Sequence, residues 1–200
     1  MRKIAPTPTP GRPRDPETGQ RILDAALRLL AAQGYSRMSL DAIAVDARVS
    51  KPTMYRRWSS KADLATAALR TLQLAEPRPD SGSTPADLIA TLENFSRSLL
   101  RPNGMSLIGT VLAEEAHTPE LLRLFRERIV TPRRAMLRAI LDRAAERGEL
   151  RAGADLDAAV QMLTGAFYAR YLAQSKIEPG FARQLVEIVW NGLRKVKARR

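Results

Sequence analysis

Ser50-Lys51-Pro52-Thr53-Met54-Tyr55-Arg56-Arg57-Trp58 is the stretch that decides the fold. It begins as a short helix should. Ser50 is placed to cap it by accepting from an early backbone N–H. Pro52 falls in the first turn, where a missing N–H costs nothing. A hydroxyl, a phenol, two guanidiniums and an indole then follow, and no acid occurs between Arg48 and Ser60. A surface helix that needed only solubility would mix acids with its bases. The stretch reads as the recognition helix of a helix-turn-helix, the element that enters the DNA major groove.

The flanking residues supply the rest of that unit. A helix is expected from Pro16 to Gln33, with Asp15 as its cap and Pro16 at its first position. Ile22, Leu23, Ala26, Leu27, Leu29 and Leu30 give it an apolar stripe of helical period, and Gly34 ends it. Tyr35, Met38 and Leu40 pin the following turn to the core. Ser39 begins a second helix with Asp41 in its first turn. Ala42, Ile43 and Val45 are expected to face inward, and the helix ends by Ala47. Arg48-Val49-Ser50 forms the tight turn, anchored by Val49. Trp58 closes the recognition helix, and Ser59-Ser60-Lys61-Ala62-Asp63-Leu64 opens a fourth. Two short helices joined by a three-residue turn have helix-turn-helix geometry.

In this order the residues resemble the DNA-binding domain of the TetR/AcrR family of bacterial transcriptional regulators. The resemblance rests on Gly34-Tyr35, on Ser39-Leu40-Asp41-Ala42-Ile43-Ala44, on Val49 through Trp58, and on Ser60-Lys61-Ala62-Asp63-Leu64. It covers about residues 17–65. One departure stands out: Arg48 occupies the turn position usually held by glycine. A left-handed backbone there costs a non-glycine residue about 1 kcal/mol, which a phosphate contact from Arg48 would offset.

Composition bounds the remainder. The chain has 200 residues, 44% of them hydrophobic, and only ten aromatic residues (four Phe, four Tyr, two Trp). Alanine and leucine dominate, which favours an all-α protein. The charge of +12 is concentrated at the ends. Residues 1–58 carry eleven Lys/Arg against five Asp/Glu, and residues 194–200 carry five bases and no acid. The body between them is nearly neutral, with seventeen bases against sixteen acids. That split fits one surface for an anionic polymer and another for something else. Without cysteine there is no disulfide, thiolate metal site or thiol nucleophile. No apolar run approaches the ~18 residues of a membrane span, and the N-terminus lacks the apolar core of a signal peptide. The expected location is the cytoplasm, with no membrane association.

Residues 1–14 hold four prolines and no hydrophobic periodicity. They read as a disordered basic arm, either a solvated tail or one whose Arg2, Lys3, Arg12 and Arg14 touch phosphates. Residues 15–75 form the reader, and the Pro/Gly/Ser-rich loop 76–86 opens a helical domain to residue 200. Five helices are expected there, near 84–100, 104–117, 119–148, 155–175 and 179–198, for about nine in all. Thr84-Pro85 and Thr118-Pro119 are starts of cap-then-proline type. Asp155 caps a helix, and Pro132 should kink one.

By the resemblance, Lys51, Pro52, Thr53, Tyr55 and Arg57 occupy groove-facing positions. Arg57 suits guanine O6 and N7, and Pro52 and the Thr53 methyl suit thymine. Tyr55 donates to a phosphate, setting register rather than reading sequence. Ser39 and Lys61, at helix starts, are phosphate-clamp candidates. The bland alternative is a solvated basic helix packed by Met54 and Trp58. The last two helices carry apolar stripes, Leu156, Ala159, Val160, Leu163, Phe167, Tyr168 and Tyr171 on one and Phe181, Leu185, Ile188, Val189, Leu193 and Val196 on the other. They read as a four-helix homodimer interface, which the resemblance also implies, or as the chain's own core.

The resemblance further implies a pocket for a small apolar or amphipathic effector. Its candidate walls are Phe95, Leu99, Met105, Ile108, Phe125, Ile129, Met162, Phe167 and Tyr168. Glu114-x-x-His117 has the spacing of half a carboxylate-bridged metal site. It lacks a second copy, so His117 reads as a residue closing a helix. No catalytic arrangement, cofactor motif or metal site is expected. The reading is a sequence-specific DNA-binding regulator, a dimeric ligand-responsive repressor on a palindrome. A non-specific architectural DNA-binding protein is the alternative, and the poor set of acid–base groups argues against a helical enzyme.

Overall fold

The computed structural model describes residues 16–73 and 79–195. The expected arm, the Asp15 cap, the boundary near residue 75 and the Val196 end of the last stripe lie outside these residues. The described residues form nine helices and no sheet, as the all-α reading expects. They are α1 (Pro16–Arg37), α2 (Leu40–Ala47), α3 (Lys51–Tyr55), α4 (Lys61–Arg70), α5 (Thr84–Leu99) and α6 (Gly104–Ala113). The long α7 runs from Pro119–Phe125 through a π turn at Arg126–Val130 into Thr131–Glu146. Then come α8 (Leu156–Leu172) and α9 (Phe181–Leu193). A lone antiparallel bridge pairs Leu150 with Arg194.

Helix starts follow side-chain chemistry. Ser39 accepts from the Ala42 N–H at 3.1 Å, Ser60 from the Asp63 N–H at 3.1 Å and Asp155 from the Ala158 N–H at 2.9 Å. The cap of α5 is Ser83 rather than Thr84, because the Thr84 hydroxyl donates to Glu149 at 2.7 Å. Ser50 makes no backbone cap bond either. Pro52 has no N–H to offer, and the Thr53 N–H is taken by the Ser50 carbonyl at 3.0 Å. The Ser50 hydroxyl pairs instead with that of Thr53 at 3.0 Å.

Helix ends differ more from expectation. Gly34, at φ 77°, interrupts α1 but one further helical turn follows it to Arg37. Helix α3 stops at Tyr55, and the Arg57 and Trp58 N–H groups both fold back to the Met54 carbonyl. At Pro132 the π turn absorbs the missing donor: the Thr131 N–H bonds the Arg126 carbonyl five residues back, and the helix continues. Val45 does not face inward but is 79% exposed. The buried positions of α2 are Ile43, Ala44 and Ala47, and Val45 lies about 200° from Ile43 around the helix.

Two apolar cores result. The first gathers Ile22, Ala26, Leu30, Tyr35, Met38, Ile43, Met54 and Leu64 of α1–α4. It does not stop at the end of α4: Leu107 and Val111 of α6 and Leu121, Leu122, Phe125 and Ile129 of α7 belong to it. A unit of about 60 residues buries too little surface to be robust alone, and these two helices complete it. The second core packs α5, the C-terminal half of α7, α8 and α9 around Leu88, Leu92, Phe95, Leu141, Leu163, Phe167 and Val186.

Arg48 ends α2 in the left-handed conformation, φ 55° and ψ 50°, its N–H bonding the Ala44 and Val45 carbonyls. Arg48→Gly should therefore raise stability by about 0.5–1 kcal/mol, the relieved strain less the added entropy of the unfolded chain. Urea unfolding followed by tryptophan fluorescence measures it, and a loss of stability would show the turn to be unstrained.

Candidate nucleic-acid interface and internal cavity

The α2–turn–α3 unit presents one face to solvent. Ser39, Arg48, Lys51, Pro52 and Tyr55 are exposed, and Thr53 is half-buried. Beneath them Met54 is buried, and Trp58 packs on the first core rather than joining the surface. Among the described residues the Ser39 hydroxyl only accepts a hydrogen bond, so its proton remains for an outside acceptor. Lys51 pairs with Asp41 of α2. Both partners are well solvated, so the pair is worth little and yields to a stronger anion.

Arg57 is placed differently. It is half-buried, and its guanidinium lies over Gly19 of α1: a Cβ there would sit 2.6 Å from Arg57 Nη1. The structure thus keeps Lys51, Pro52, Thr53 and Tyr55 together and folds Arg57 back onto α1. The reason is the early end of α3, which takes Arg57 off the helical spacing that would align it with Thr53.

Lys61 also turns inward. Its ammonium sits 4.2 Å from the Tyr35 ring centroid and donates to the Ser36 carbonyl at 3.4 Å. Burial lowers its pKa, against the pull of Glu114. The Tyr35 hydroxyl is pushed up to about 12 by burial, helped by Glu120 and Glu114. Both carboxylates hold the reader: the Ser36 hydroxyl donates to Glu114, and the Ser60 hydroxyl to Glu120 at 3.2 Å. Glu114 thus ties α1 to the α6–α7 turn, and His117 beside it is exposed.

A third tie is stronger. Arg128, in the π turn of α7, donates to Asp63 Oδ1 at 2.6 Å and to the Thr66 hydroxyl at 3.1 Å. Asp63 also accepts from the Ser59 N–H at 2.7 Å and the Ser59 hydroxyl at 3.1 Å. Burial alone pushes its carboxyl up. The bonds from Arg128 and Ser59 outweigh that and leave it below the usual aspartate value.

Above these ties a cavity of about 240 Å³ lies between α4, α5, α6, α7 and α8. Phe95, Leu99, Ile108, Phe125, Ile129 and Tyr168 line it, as expected. Three expected wall residues do not. Phe167 is fully buried behind the wall, edge-to-face with Phe95 at 5.2 Å. Met105 packs on the second core. Met162 is 53% exposed on the outer side of α8. Thr164 and Tyr168 set the inner face of α8, and Met162 lies two residues from Thr164, on another face.

The polar part of the lining was not foreseen: Gln73, Ser98, Arg133, Arg134 and Thr164. Arg133 stands 4.6 Å from the Phe95 ring centroid. Burial raises the pKa of the Tyr168 hydroxyl, with Arg133 opposing, so it stays a donor. The missing signal was helical spacing from apolar neighbours, with Ser98 three residues past Phe95 and Arg133 four past Ile129.

Comparison with known proteins agrees with this arrangement. Residues 22–68 match the family described as bacterial regulatory proteins, tetR family, and residues 78–189 match the tetracyclin repressor-like C-terminal domain. The HTH-type transcriptional regulator YdeS of Bacillus subtilis is 32% identical over 94% of this chain and 96% of its own length. The DNA-binding transcriptional repressor TetR of Mycobacteroides abscessus is 36% identical over 68% of this chain and 71% of its own. Among solved structures, the TetR family transcription regulator SCO0332 aligns with TM-score 0.66 and 28% identity, covering 90% of this chain and 100% of that one.

The Asp63–Arg128 tie carries a pH signature. A carboxyl depressed in the folded state stabilises it above the unfolded pKa, about 3.9, and loses that contribution as pH falls through the folded value. Arg128→Met should cost about 1.5–3 kcal/mol at pH 7. Its deficit relative to the parent protein should shrink as pH drops below 4 or so. Thermal unfolding of both proteins across pH tests this, and a deficit independent of pH would show that packing, not charge, carries the contact.

Proposed function

This chain belongs to the TetR family of bacterial transcriptional regulators, and from that membership we propose that it is a ligand-responsive repressor that binds a palindromic operator as a homodimer. That it is a DNA-binding regulator rather than an enzyme follows from the family. One observation carries the finer reading. Leu69, Phe125 and Ile129 belong both to the core that supports the reader and to the wall of the cavity. A molecule filling the cavity presses on the same side chains that set where α1 and α4 stand. It shifts the equilibrium by its differential affinity for the two arrangements.

In this reading Ser39, Arg48 and Lys61 hold phosphates around the groove, Lys61 by leaving Tyr35. Lys51 exchanges Asp41 for DNA, Pro52 and Thr53 meet base edges, and Tyr55, 56% exposed, donates to a phosphate. Arg57 steadies α3 on α1 and reaches a base only by leaving Gly19. The regulator acts on the chromosome, in the cytoplasm. No helix of the described residues is long and apolar enough to cross a membrane.

The second copy meets the outer side of α8 and α9. The stripe of Ala159, Val160, Leu163 and Phe167 is spent on the chain's own core. An opposite face remains, with Met162, Gly165, Ala169 and Leu172 exposed at helical spacing. Leu172 is 80% exposed, and Ile188 of α9 is 66% exposed. Large apolar side chains flanking small residues let another helix pair approach closely, and the pair would set two α3 helices ~34 Å apart on DNA.

A gel shift against the intergenic regions beside its own gene tests the regulator reading, and no sequence-preferring binding at moderate salt would sink it. Thr53→Ala should cost about 1 kcal/mol on the operator, the loss of a buried methyl contact, and little on scrambled DNA. Tyr55→Phe should weaken both about equally. The reverse pattern would exchange their roles. Leu172→Glu should give a folded monomer by sedimentation with operator affinity lost, and an unchanged dimer would place the interface elsewhere.

A further inference from the structure

We propose that the cavity takes a small amphipathic carboxylate, with its apolar body against Leu69, Phe125 and Ile129 and its charge held by Arg133 and Arg134. This rests on the cavity being the effector site. The floor is apolar, and both charged side chains in the lining are arginines; no described acid lines it. Arg134 has no acidic partner among the described residues. A guanidinium at the edge of an apolar cavity is costly to leave without an anion. Its planar fork matches a carboxylate with two parallel bonds.

Position supports the same chemistry. The Phe95 face holds Arg133 at 4.6 Å, and Phe95 is itself braced by Phe167 and Tyr168. Arg133 and Gln73 also border an outer groove with Arg70 and Arg128. The one acid among its described lining residues, Glu127, is engaged by Arg123 at 2.9 and 3.0 Å. The surface beside the cavity, which shares Gln73 and Arg133 with it, is therefore basic, and both it and the cavity wall oppose a cation. The lining hydroxyls of Ser98 and Thr164 donate to their own helix, to the Asn94 and Val160 carbonyls. That leaves Arg134, with Arg133 beside it, and the Tyr168 hydroxyl to recognise the ligand. The volume, about 240 Å³, lies below the ~300–1,000 Å³ of drug-sized sites. It suits a medium-length acyl chain or a small fused-ring acid.

The test compares three probes of equal chain length, decanoate, decan-1-ol and decyltrimethylammonium, by calorimetry with the full-length protein below micellar concentration. Decanoate should bind about tenfold or more tighter than decanol, and the ammonium weakest. Replacing both arginines, Arg133→Met with Arg134→Met, should bring decanoate to the level of decanol and leave decanol unchanged. Ile108→Trp, which fills the cavity, should abolish decanoate binding; Thr164→Phe serves if that variant fails to fold, as judged by its melting curve. Decanol binding as well as decanoate, decanoate surviving in a folded cavity-filled variant, or no probe binding at all would each overturn the proposal. The regulator reading falls on a separate result, the absence of sequence-preferring DNA binding by the same preparation.

Discussion

The apolar seam formed by Leu69 of α4 with Phe125 and Ile129 of α7 is the contact on which the rest depends. A four-helix reader of about 60 residues, with one short recognition helix, buries too little surface to stand firmly alone. It borrows Leu107 and Val111 of α6 and a row of leucines from the start of α7. That loan makes the reader stable, and it also makes the reader answerable to the rest of the molecule. Closely packed interiors respond to volume changes by moving elements rather than by absorbing them. Leu69, Phe125 and Ile129 thus serve at once as the reader's floor and as a wall of the cavity.

Polar ties make the seam directional. Ser36 to Glu114, Ser60 to Glu120 and Asp63 to Arg128 link the end of α1 and the start of α4 to the α6–α7 turn, to the first turn of α7 and to its π turn. Each tie is modest, but together they select one orientation of α1 and α4 from those that apolar packing alone would allow. The π turn concentrates these demands. Within it Arg128 reaches the reader, Ile129 is shared by the first core and the cavity, and Val130 lines the cavity. One extra residue per turn, placed just before Pro132, spares the helix a break and rotates these neighbours into their separate tasks.

Much of this could be read from the chain. The caps at Ser39, Ser60 and Asp155 are local, since each side chain bonds an N–H three residues on. The strained turn at Arg48 was visible because glycine was expected there. The cavity was legible in its apolar half, through Phe95, Leu99, Ile108, Phe125, Ile129 and Tyr168. Its polar half was not. Arg133 and Arg134 sit in a run of basic residues that resembles any solvated helix face until α5 and α8 close over it. Met162 and Phe167 do not line the cavity for a related reason: apolar character does not say which side of a helix another helix will cover.

The sequence by itself determined the helical class, the helix starts, the helix-turn-helix and the separation of a basic reader from a neutral body. These follow from interactions within a few residues: capping, periodicity and turn chemistry. Tertiary structure alone decided that Arg57 folds over Gly19, that Val45 faces outward, that the reader's core extends into α6 and α7, and that two arginines meet an apolar cavity. Each of these depends on which surfaces pack across long stretches of chain. That choice is made by the total burial of the fold and by space left elsewhere, such as the missing side chain at Gly19.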